Sequence, residues 1–454
     1  MQLFKRSVSA RNLTAFTFEI LLIAGSLFLA ISLHEPARGA DLVWRILLPT
    51  GLFLVCLYYN DFYDLTVVHS NRETMVRLFQ AGGAASIILA FVYLVLPALA
   101  VRDGAFFPSL ALLLAGTLLW RVLFNAVSLA PTLVENVLVV GTGTAAVAVA
   151  RQIQERHDFS YRIVGFVGDN EPAVLPVGYR VIGRSSDIPS LVERFDVGRI
   201  VVAVADRRGR LPVQELLEAK LSGVRVEEAT ATYERLTGKV LLEDLKPSWL
   251  IFSDGFHVSR TRRFIKRLVD VSLSLVGLVV GAIPMALTAL AVRLESGEPI
   301  LYRQERVGQN GRVFTLFKFR SMRVDAEGGV PIWARERDDR VTKVGKIIRI
   351  TRLDELPQLW NVLRGDMSFV GPRPERPYFV DLLTKEIPFF HQRHAVKPGI
   401  TGWAQVKYRY GASVEDAMEK LRYDLYYIKH LSVTFDLSIV FDTVKVILFG
   451  KGAQ

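Results

Sequence analysis

The chain has almost no cysteine. Its one cysteine, Cys56, lies in an apolar run, and the chain is 454 residues long. No disulfide can form within the chain, and no zinc site built from cysteines is available. No nucleic-acid-binding motif is present either, so nucleic acid is not predicted as a partner. Because the chain forms no internal disulfide, its soluble parts are compatible with a reducing compartment.

Charged residues are also scarce. They make up 22% of the chain against 51% hydrophobic residues, and the mean hydropathy is +0.29. This composition is too apolar for an ordinary soluble protein, and the length allows two or three domains. The net charge of +11 comes from residues 255–454, because residues 1–254 contain 24 basic and 24 acidic side chains. Anionic lipid or phosphate-bearing substrates would explain such a basic half.

Four apolar runs open the chain, at residues 13–33, 42–59, 80–100 and 106–127. Each is close to the ~20 residues that a helix needs to cross a bilayer. Basic residues precede the first run and fill the loop after the second, so the positive-inside rule places the N-terminus and residue 130 in the cytoplasm. Residues 1–130 are therefore predicted to form four transmembrane helices that anchor the protein. Glu19 is the one residue within them that hints at transport.

Residues 131–254 alternate between short valine-rich runs and helical patterns. This alternation predicts a Rossmann-like α/β domain with a doubly wound parallel sheet. Gly141, Gly143 and Ala146 form a G-x-G-x-x-A turn that would point backbone N–H groups at a nucleotide phosphate, with Asp169 as a ribose partner. The alternative is a tight turn that only lets the strand and the helix pack closely.

A second apolar region, at about residues 264–294 within the third predicted domain of 255–454, is interrupted by Pro284 and has basic residues on both sides. Positive charge on both flanks indicates that both ends lie in the cytoplasm. We therefore predict a re-entrant membrane helix that breaks near Ile283 and Pro284. The alternative is a spanning helix with a proline kink.

Two adjacent carboxylates, Asp354 and Glu355, follow this region and are surrounded by arginines at positions 349, 352, 364 and 373. Neighbouring carboxylates repel each other unless a cation separates them, and guanidinium groups match phosphate oxygens. This pattern predicts phosphate chemistry with Mg²⁺. Both carboxylates could instead cap the start of a helix. His391 and His394 have metal-like spacing but no third ligand nearby, which favours ordinary surface histidines.

Six motifs occur in a fixed order after Pro299. They are YRQERVG at 302–308, FKFRSM at 317–322, LDELPQL at 353–359, GDMS at 365–368, VGPRPE at 370–375 and KPGITGW at 397–403. Together they resemble the bacterial sugar transferases, the monotopic polyprenyl-phosphate phosphoglycosyl transferases. The resemblance covers about residues 260–454. The leading helices and the Rossmann-like domain are similar to the long form of the family, which initiates exopolysaccharide or O-antigen synthesis.

The resemblance implies an enzyme that transfers sugar 1-phosphate from a UDP-sugar to undecaprenyl phosphate and releases UMP. It implies that Asp354 is the nucleophile, that Glu355 shares an Mg²⁺ site with it, and that Arg349 binds the polyprenyl phosphate. The further substrate-binding candidates are Lys318, Arg320, Arg352 and Arg373. The family often breaks its re-entrant helix at Ser-Pro, whereas Ile283 precedes Pro284 in this chain.

The resemblance also implies a multi-pass protein of the bacterial inner membrane, in contact with membrane lipid, with its catalytic domain on the cytoplasmic face. It leaves a homodimer open, since nothing in the sequence decides the oligomeric state. One rival is a nucleotide-sugar dehydratase or epimerase, but the Tyr-x-x-x-Lys pair of such enzymes is absent after Tyr161, Tyr179 and Tyr233. The other rival is a non-catalytic scaffold that recruits export partners.

Overall fold

The computed structural model describes most of the chain in two compact units. The described residues are 10–34, 40–63, 71–101, 103–128, 134–155, 161–168, 175–204, 211–242, 245, 256, 259–324, 339–408, 411 and 413–449. Asp169, the predicted ribose partner, lies outside them. The first unit extends to Thr232 and the second begins at Tyr233.

The boundary between the units differs from the predicted division at 254. Val240 belongs to the core of the second unit, and Trp403 donates through Nε1 to the carbonyl of Gly238 at 2.7 Å. The backbone N–H of Val240 donates to the carbonyl of Arg422 at 3.1 Å. The stretch after Tyr233 is therefore part of the second unit, although nothing in its local composition separates it from the α/β sequence before it.

The first unit opens with long apolar helices: α1 (Ala10–His34), α2 (Ala40–Tyr59), α3 (Asn71–Val95) and α4 (Asp103–Ser128). Each is long and apolar enough to cross a membrane. Glu19 on α1 is buried and pairs with Arg121 on α4, whose Nη2 lies 3.0 Å from Oε2. An ion pair of this kind offsets the cost of charge among apolar helices, so Glu19 has a structural partner.

A five-stranded parallel sheet follows and confirms the predicted α/β fold. Its elements are β1 (Glu135–Val140), α5 (Thr144–Glu155), β2 (Tyr161–Val167), β3 (Val181–Gly183), α6 (Ile188–Arg194), β4 (Val197–Val202), α7 (Val213–Leu221), β5 (Arg225–Glu228) and α8 (Ala229–Thr237). The strand order is β3-β2-β1-β4-β5, and all neighbours are parallel. Val137 to Val140 are buried on both faces of the sheet, as apolar runs in parallel sheets are. The short strand β3 has no such run and was not predicted.

The second unit is mainly helical with short strands. Its elements after α8 are α9 (Arg260–Ser296), β6 (Leu301–Val307), β7 (Val313–Phe319), α10 (Lys343–Ile350), α11 (Gln358–Arg364), β8 (Ser368–Val370), α12 (Pro377–Glu386), β9 (Gly399–Thr401), α13 (Trp403–Lys407), α14 (Val414–Lys429) and α15 (Val433–Phe449). The strands β6 and β7 form an antiparallel hairpin, whereas β8 and β9 pair in parallel. The largest core lies between α12, α14 and α15.

Helix α9 is a single helix of 37 residues, capped at its start by the Ser259 side chain. Pro284 lies inside it, so the predicted break at Ile283–Pro284 is not present as a loss of helical structure. Proline removes one backbone hydrogen bond, the one to the residue four positions earlier, while the following turns can continue the helix. The Thr288 hydroxyl donates to the Pro284 carbonyl at 2.7 Å in that next turn.

Candidate active site

The two adjacent carboxylates lie in a short turn between two helices of the second unit. Leu353–Glu355 forms a 3-10 turn after α10, and Arg352 reverses the chain just before it with a φ of 59°. Asp354 and Glu355 are each only 7% exposed. Helix α11 begins after Pro357, and no side chain caps it. Both carboxylates lie in the first turn of the 3-10 element after Arg352, where the capping interpretation places them, but no side-chain hydrogen bond caps that element.

Glu355 is held by cations that come from separate elements. Its Oε1 lies 2.8 Å from Nη2 of Arg373 and 3.1 Å from Nζ of Lys318. Nη1 of Arg352 is 3.9 Å from the same oxygen. Burial by itself raises the pKa of Glu355, but Arg373 and Lys318 outweigh it and bring the pKa below the ordinary value. Glu355 therefore carries its negative charge at neutral pH.

Asp354 lies beside this cluster without a direct partner. Its carboxylate accepts no hydrogen bond and forms no ion pair with any residue in the described ranges. Burial raises the pKa of Asp354, Lys318 opposes the rise, and the charge of Glu355 adds to it. A buried carboxylate without donors is poorly stabilised, which favours its attack on an electrophile and its binding of a cation.

The pair fits a magnesium site that a phosphate would complete. All three cations approach Oε1 of Glu355, and its Oε2 accepts no hydrogen bond from a described residue. Asp354 contributes a carboxylate of its own at the adjacent position. Mg²⁺ is commonly held by one or two carboxylates together with substrate phosphates. Within the described residues no group of three or more His, Cys, Asp or Glu could hold a metal by itself.

The other predicted phosphate ligands have different positions. Arg349 on α10 donates from Nε to Oγ of Ser321 at 3.0 Å, and its charge lowers the pKa of Asp354 in opposition to burial. Arg320 is only 6% exposed, and its Nη2 donates to the carbonyls of Ser296 and Gly297 at 2.6 and 2.7 Å. Arg320 therefore secures the end of α9, and no described contact joins it to the two carboxylates.

The G-x-G-x-x-A turn of the first unit is explained largely by packing. Gly141 has a φ of +111°, and a Cβ there would lie 2.6 Å from the carbonyl oxygen of Ala203. Ala146 is fully buried in α5. Gly143 has open space around it, so its missing side chain is not required by a neighbour. Gly141 is thus required by its backbone conformation and by the backbone at Ala203 after β4, whereas the alternative interpretation named close packing of a strand against a helix.

A buried ion pair supports the loop of Arg373, and the sequence offered no signal for it. Arg393 is 5% exposed and its Nη2 lies 2.8 Å from Oδ2 of Asp424, which is 1% exposed. The same Nη2 donates to the backbone carbonyl of Arg373 at 2.9 Å. Arg306 donates to the carbonyl of Pro374, also at 2.9 Å. These residues are far apart in sequence, so only the fold shows that they fix one loop.

Of the two histidines predicted to lie on the surface, His391 is exposed and His394 is buried. His394 is buried, and one of its ring nitrogens contacts the backbone carbonyl of His391 at 3.2 Å. Burial and, after it, the charges of Arg393 and His391 lower the pKa of His394 to about 4. His394 is therefore a neutral packed side chain at pH 7.

Two family models and several known proteins match parts of the chain. A family model described as "Bacterial sugar transferase" matches residues 261–450, and a "CoA-binding domain" model matches residues 59–217. A UDP-N-acetylgalactosamine-undecaprenyl-phosphate N-acetylgalactosaminephosphotransferase of Aeromonas hydrophila is 41% identical over 290 residues, 62% of this chain and 68% of that protein.

Two further relatives have related names. A UDP-glucose:undecaprenyl-phosphate glucose-1-phosphate transferase of Escherichia coli (strain K12) is 34% identical over 318 residues, 63% of this chain and 68% of that protein. A putative undecaprenyl-phosphate N-acetylgalactosaminyl 1-phosphate transferase of Bacillus subtilis (strain 168) is 49% identical over 136 residues, 30% of this chain and 76% of that protein. The region matched by the sugar transferase model contains the carboxylate pair, and this chain covers more than two thirds of the length of each of the three relatives. The chain therefore belongs to the bacterial sugar transferase family.

Proposed function

We propose that this protein is an undecaprenyl-phosphate sugar phosphotransferase that uses Asp354 as its nucleophile. The names of the Aeromonas hydrophila and Escherichia coli relatives give a UDP-sugar and undecaprenyl phosphate as the substrates of those proteins. The observation that carries the proposal for this chain is the carboxylate of Asp354, which is buried beside Lys318 and Glu355 but bonded to neither. An unbonded buried carboxylate among phosphate-binding cations is suited to attack phosphorus.

The proposed reaction has two displacements at one phosphorus atom. An oxygen of Asp354 bonds to the sugar-bearing phosphorus of the UDP-sugar, and the bond to the bridging oxygen breaks, so UMP leaves with that oxygen. An oxygen of undecaprenyl phosphate then attacks the same phosphorus, and the bond to Asp354 breaks. The products are undecaprenyl-diphosphate-sugar and the original carboxylate. A carboxylate needs no general base for the first step because it is already deprotonated.

The residues near Asp354 would offset the repulsion between its carboxylate and the phosphates of the two substrates. Asp354 and Glu355 would hold Mg²⁺, which supplies charge neutralisation for the phosphates when it is bound. Lys318 and Arg373 both contact Glu355, so they lie where they can also bind phosphate oxygens of the nucleotide sugar. The charge of Arg349 on α10 lowers the pKa of Asp354, and Arg349 is proposed to bind the lipid phosphate. Arg352 lies between α10 and the turn that contains Asp354. Arg320 keeps a structural role at the end of α9.

We further propose that α9 enters and leaves the membrane on one side by bending at Pro284 without a loss of helical structure. Near its start, Arg267 donates to the carbonyl of Val362 at 2.6 Å. Near its end, Glu295 accepts from the backbone N–H groups of Lys343 and Val344 at 2.9 and 3.0 Å. Both ends thus contact one polar, charged unit, which cannot lie across the hydrocarbon. The opposite face of α9 is apolar and exposed, for example at Val279, Ile283 and Leu287.

Cysteine labelling tests this topology. In a Cys56→Ala background, we expect Arg260→Cys and Leu294→Cys to react with a membrane-impermeant maleimide only in inside-out vesicles. Both positions are exposed at the two ends of α9. Leu96→Cys, after α3, is the control and should react in intact spheroplasts. A Leu294→Cys protein that reacts only from outside would make α9 a spanning helix.

The same proposal assigns the parts of the chain. Residues 1–130 would form four transmembrane helices, residues 131–254 the Rossmann-like domain and residues 255–454 the catalytic domain, with residues 233–242 packing in the catalytic unit. The protein would lie in the bacterial inner membrane with the catalytic domain on the cytoplasmic face, where nucleotide sugars are made. Three further points stay predictions. They are a homodimer, a nucleotide ligand for Gly141, Gly143 and Ala146, and a place at the first membrane step of exopolysaccharide or O-antigen synthesis.

UMP release tests the proposed reaction. We expect the purified protein in nanodiscs to release UMP and form a lipid-linked sugar from at least one UDP-sugar, and to stop when EDTA removes Mg²⁺. A panel of UDP-glucose, UDP-galactose and their N-acetylated counterparts would identify the sugar, because the relatives differ in the sugar they name. A folded protein that releases UMP from none of them, with undecaprenyl phosphate present, would be the non-catalytic scaffold instead.

A further inference from the structure

We propose that Gln358 is a further catalytic residue, whose side-chain amide donates a hydrogen bond to the phosphoryl group that is transferred to Asp354. Roles for the charged residues of the LDELPQL motif are given above, whereas Gln358 in the same motif has none. The inference rests on the proposed function, since it adds a neutral hydrogen-bond donor to the same reaction.

Gln358 is a buried side chain with an unused donor. It is 2% exposed, and its Nε2 has no hydrogen-bond partner among the residues that the structure describes. A buried N–H group without an acceptor destabilises the folded protein, because the group has lost its hydrogen bonds to water and gained none in return. Such a donor is accounted for when a ligand brings the acceptor.

The backbone places Gln358 on the same short helical path as the carboxylate pair. Leu353–Glu355 forms the 3-10 turn, the next two residues have helical dihedral angles, and α11 begins at Gln358. Side chains three and four positions apart on such a path are neighbours, with about 5–6 Å between their Cβ atoms. Gln358 is therefore next to Glu355, three positions before it, and to Asp354, four positions before it.

The neighbours of Gln358 on this path show which way it faces. Glu355, three residues earlier, contacts Nζ of Lys318 on β7 at 3.1 Å. Asn361, three residues later, bonds to the backbone of β7 through both amide atoms, at 3.1 Å from Oδ1 and 2.7 Å from Nδ2. Glu355, Gln358 and Asn361 thus form one row against β7. The strand uses both amide atoms of Asn361, whereas it leaves Nε2 of Gln358 unbonded.

The rows on either side of Gln358 differ in their access to the surface. Asp354 belongs to the same row as Trp360, which is 55% exposed. The row on the other side is closed by α9, because a Cβ on Gly277 would lie 3.1 Å from Cδ1 of Leu359. A phosphate that approaches Asp354 from the exposed side would therefore have Gln358 on its buried side.

A neutral donor has an advantage at this position that a cation lacks. A cation bonded to Asp354 would hold its electron pairs and weaken the carboxylate as a nucleophile, whereas an unbonded amide leaves it free. In the transition state, negative charge is spread over the equatorial oxygens of the attacked phosphorus. A hydrogen bond from Gln358 to one of these oxygens stabilises the transition state more than it stabilises the bound donor.

Single-turnover measurements on the full-length protein in nanodiscs test the inference. We would follow adduct formation on Asp354 with the UDP-sugar that the wild type uses, at saturating Mg²⁺, in Gln358→Met and Gln392→Met. Gln358→Met should form the adduct ~100-fold more slowly, while KM for the UDP-sugar stays within about threefold. Gln392 is exposed after α12, so Gln392→Met is the matched control and should react at the wild-type rate.

Thermal unfolding separates a catalytic role of Gln358 from a structural one. Methionine has a similar size but no buried N–H group, so Gln358→Met should unfold at a Tm no lower than that of the wild type. Gln358→Leu replaces it if Gln358→Met lowers Tm more than Gln392→Met does, and the same selective loss of rate is expected. If both Gln358→Met and Gln358→Leu lower Tm and rate together, Gln358 supports the fold and the assignment is wrong.

The remaining outcomes distinguish this inference from the proposed reaction. A folded Gln358→Met protein that forms the adduct at the wild-type rate would overturn the role of Gln358 and leave Asp354 as the nucleophile. A higher Mg²⁺ requirement, with the full rate restored at saturation, would make Gln358 a metal ligand and also overturn the assignment. A wild type that forms no adduct and releases no UMP would reject the proposed reaction, and the role of Gln358 would fall with it.

Discussion

Replacing Asp354 by asparagine is expected to abolish sugar-phosphate transfer, with a loss of at least ~10⁴-fold in kcat. An amide has nearly the same shape as the carboxylate but is not a nucleophile at neutral pH. The fold should tolerate it, because Asp354 accepts no hydrogen bond from the described residues and its pKa is already raised by burial. A neutral group also removes the repulsion from Glu355.

Intact-mass measurement after mixing with donor alone gives the direct readout. The wild type should gain the mass of one sugar phosphate in rapidly quenched samples that lack undecaprenyl phosphate, and Asp354→Asn should not. Asp381→Asn, on the exposed face of α12, is the matched control and should form the adduct normally. An adduct on Asp354→Asn, or none on an active wild type under rapid trapping, would contradict covalent catalysis at this residue.

Replacing Gly399 by alanine is expected to destabilise the catalytic unit by ~3 kcal/mol or more. A Cβ at this position would lie 2.1 Å from the backbone nitrogen of Gly371 and 2.3 Å from the carbonyl oxygen of Thr401. Both neighbours are backbone atoms that cannot rotate away. The clash would separate β8 from β9, where Ser368 pairs with Gly399 and Val370 with Thr401.

The consequence reaches the active site because β8 leads directly into the loop of Arg373. We expect Gly399→Ala to lower Tm and to reduce transfer activity together, measured by thermal unfolding in nanodiscs and by UMP release. Gly281→Ala on α9 is the matched control. Its Cβ would meet Leu356 at 3.7 Å, an ordinary contact, and alanine favours the helix by about 1 kcal/mol over glycine. A Gly399→Ala protein as stable as this control would mean that the two strands are not packed as described.

The sequence could single out candidate site residues because they lie in short contiguous motifs. Asp354 and Glu355 are adjacent in sequence, and Lys318 and Arg373 stand in motifs whose residue types already indicate phosphate binding. Arg320 also stands in such a motif, and its role in substrate binding stays a prediction. It comes two residues after Lys318, but β7 ends at Phe319, so the direction of the Arg320 side chain is set by the end of α9 rather than by the strand.

Supporting contacts were not predictable for a different reason. Arg393 and Asp424 are 31 residues apart, and neither stands in a pattern that marks a buried ion pair. Pro284 suggested a break, yet a long helix can continue past one missing hydrogen bond when its neighbours pack well. Local sequence indicates whether a segment favours helix, strand or turn. The buried ion pair and the unbroken helix depend instead on which residues pack against the segment after folding.

By itself, the sequence determined the long apolar helices and the parallel α/β sheet, because apolar run length and strand periodicity are local properties of the chain. It also singled out Asp354 and Glu355 by motif composition, and their role stays a prediction. Only the tertiary structure decided that Lys318 and Arg373 share one oxygen of Glu355, that Asp354 is left without a described partner, and that Arg393 holds the backbone carbonyl of Arg373. Charges at such distances along the chain interact only after folding brings them within a few ångströms and removes the water that would otherwise screen them.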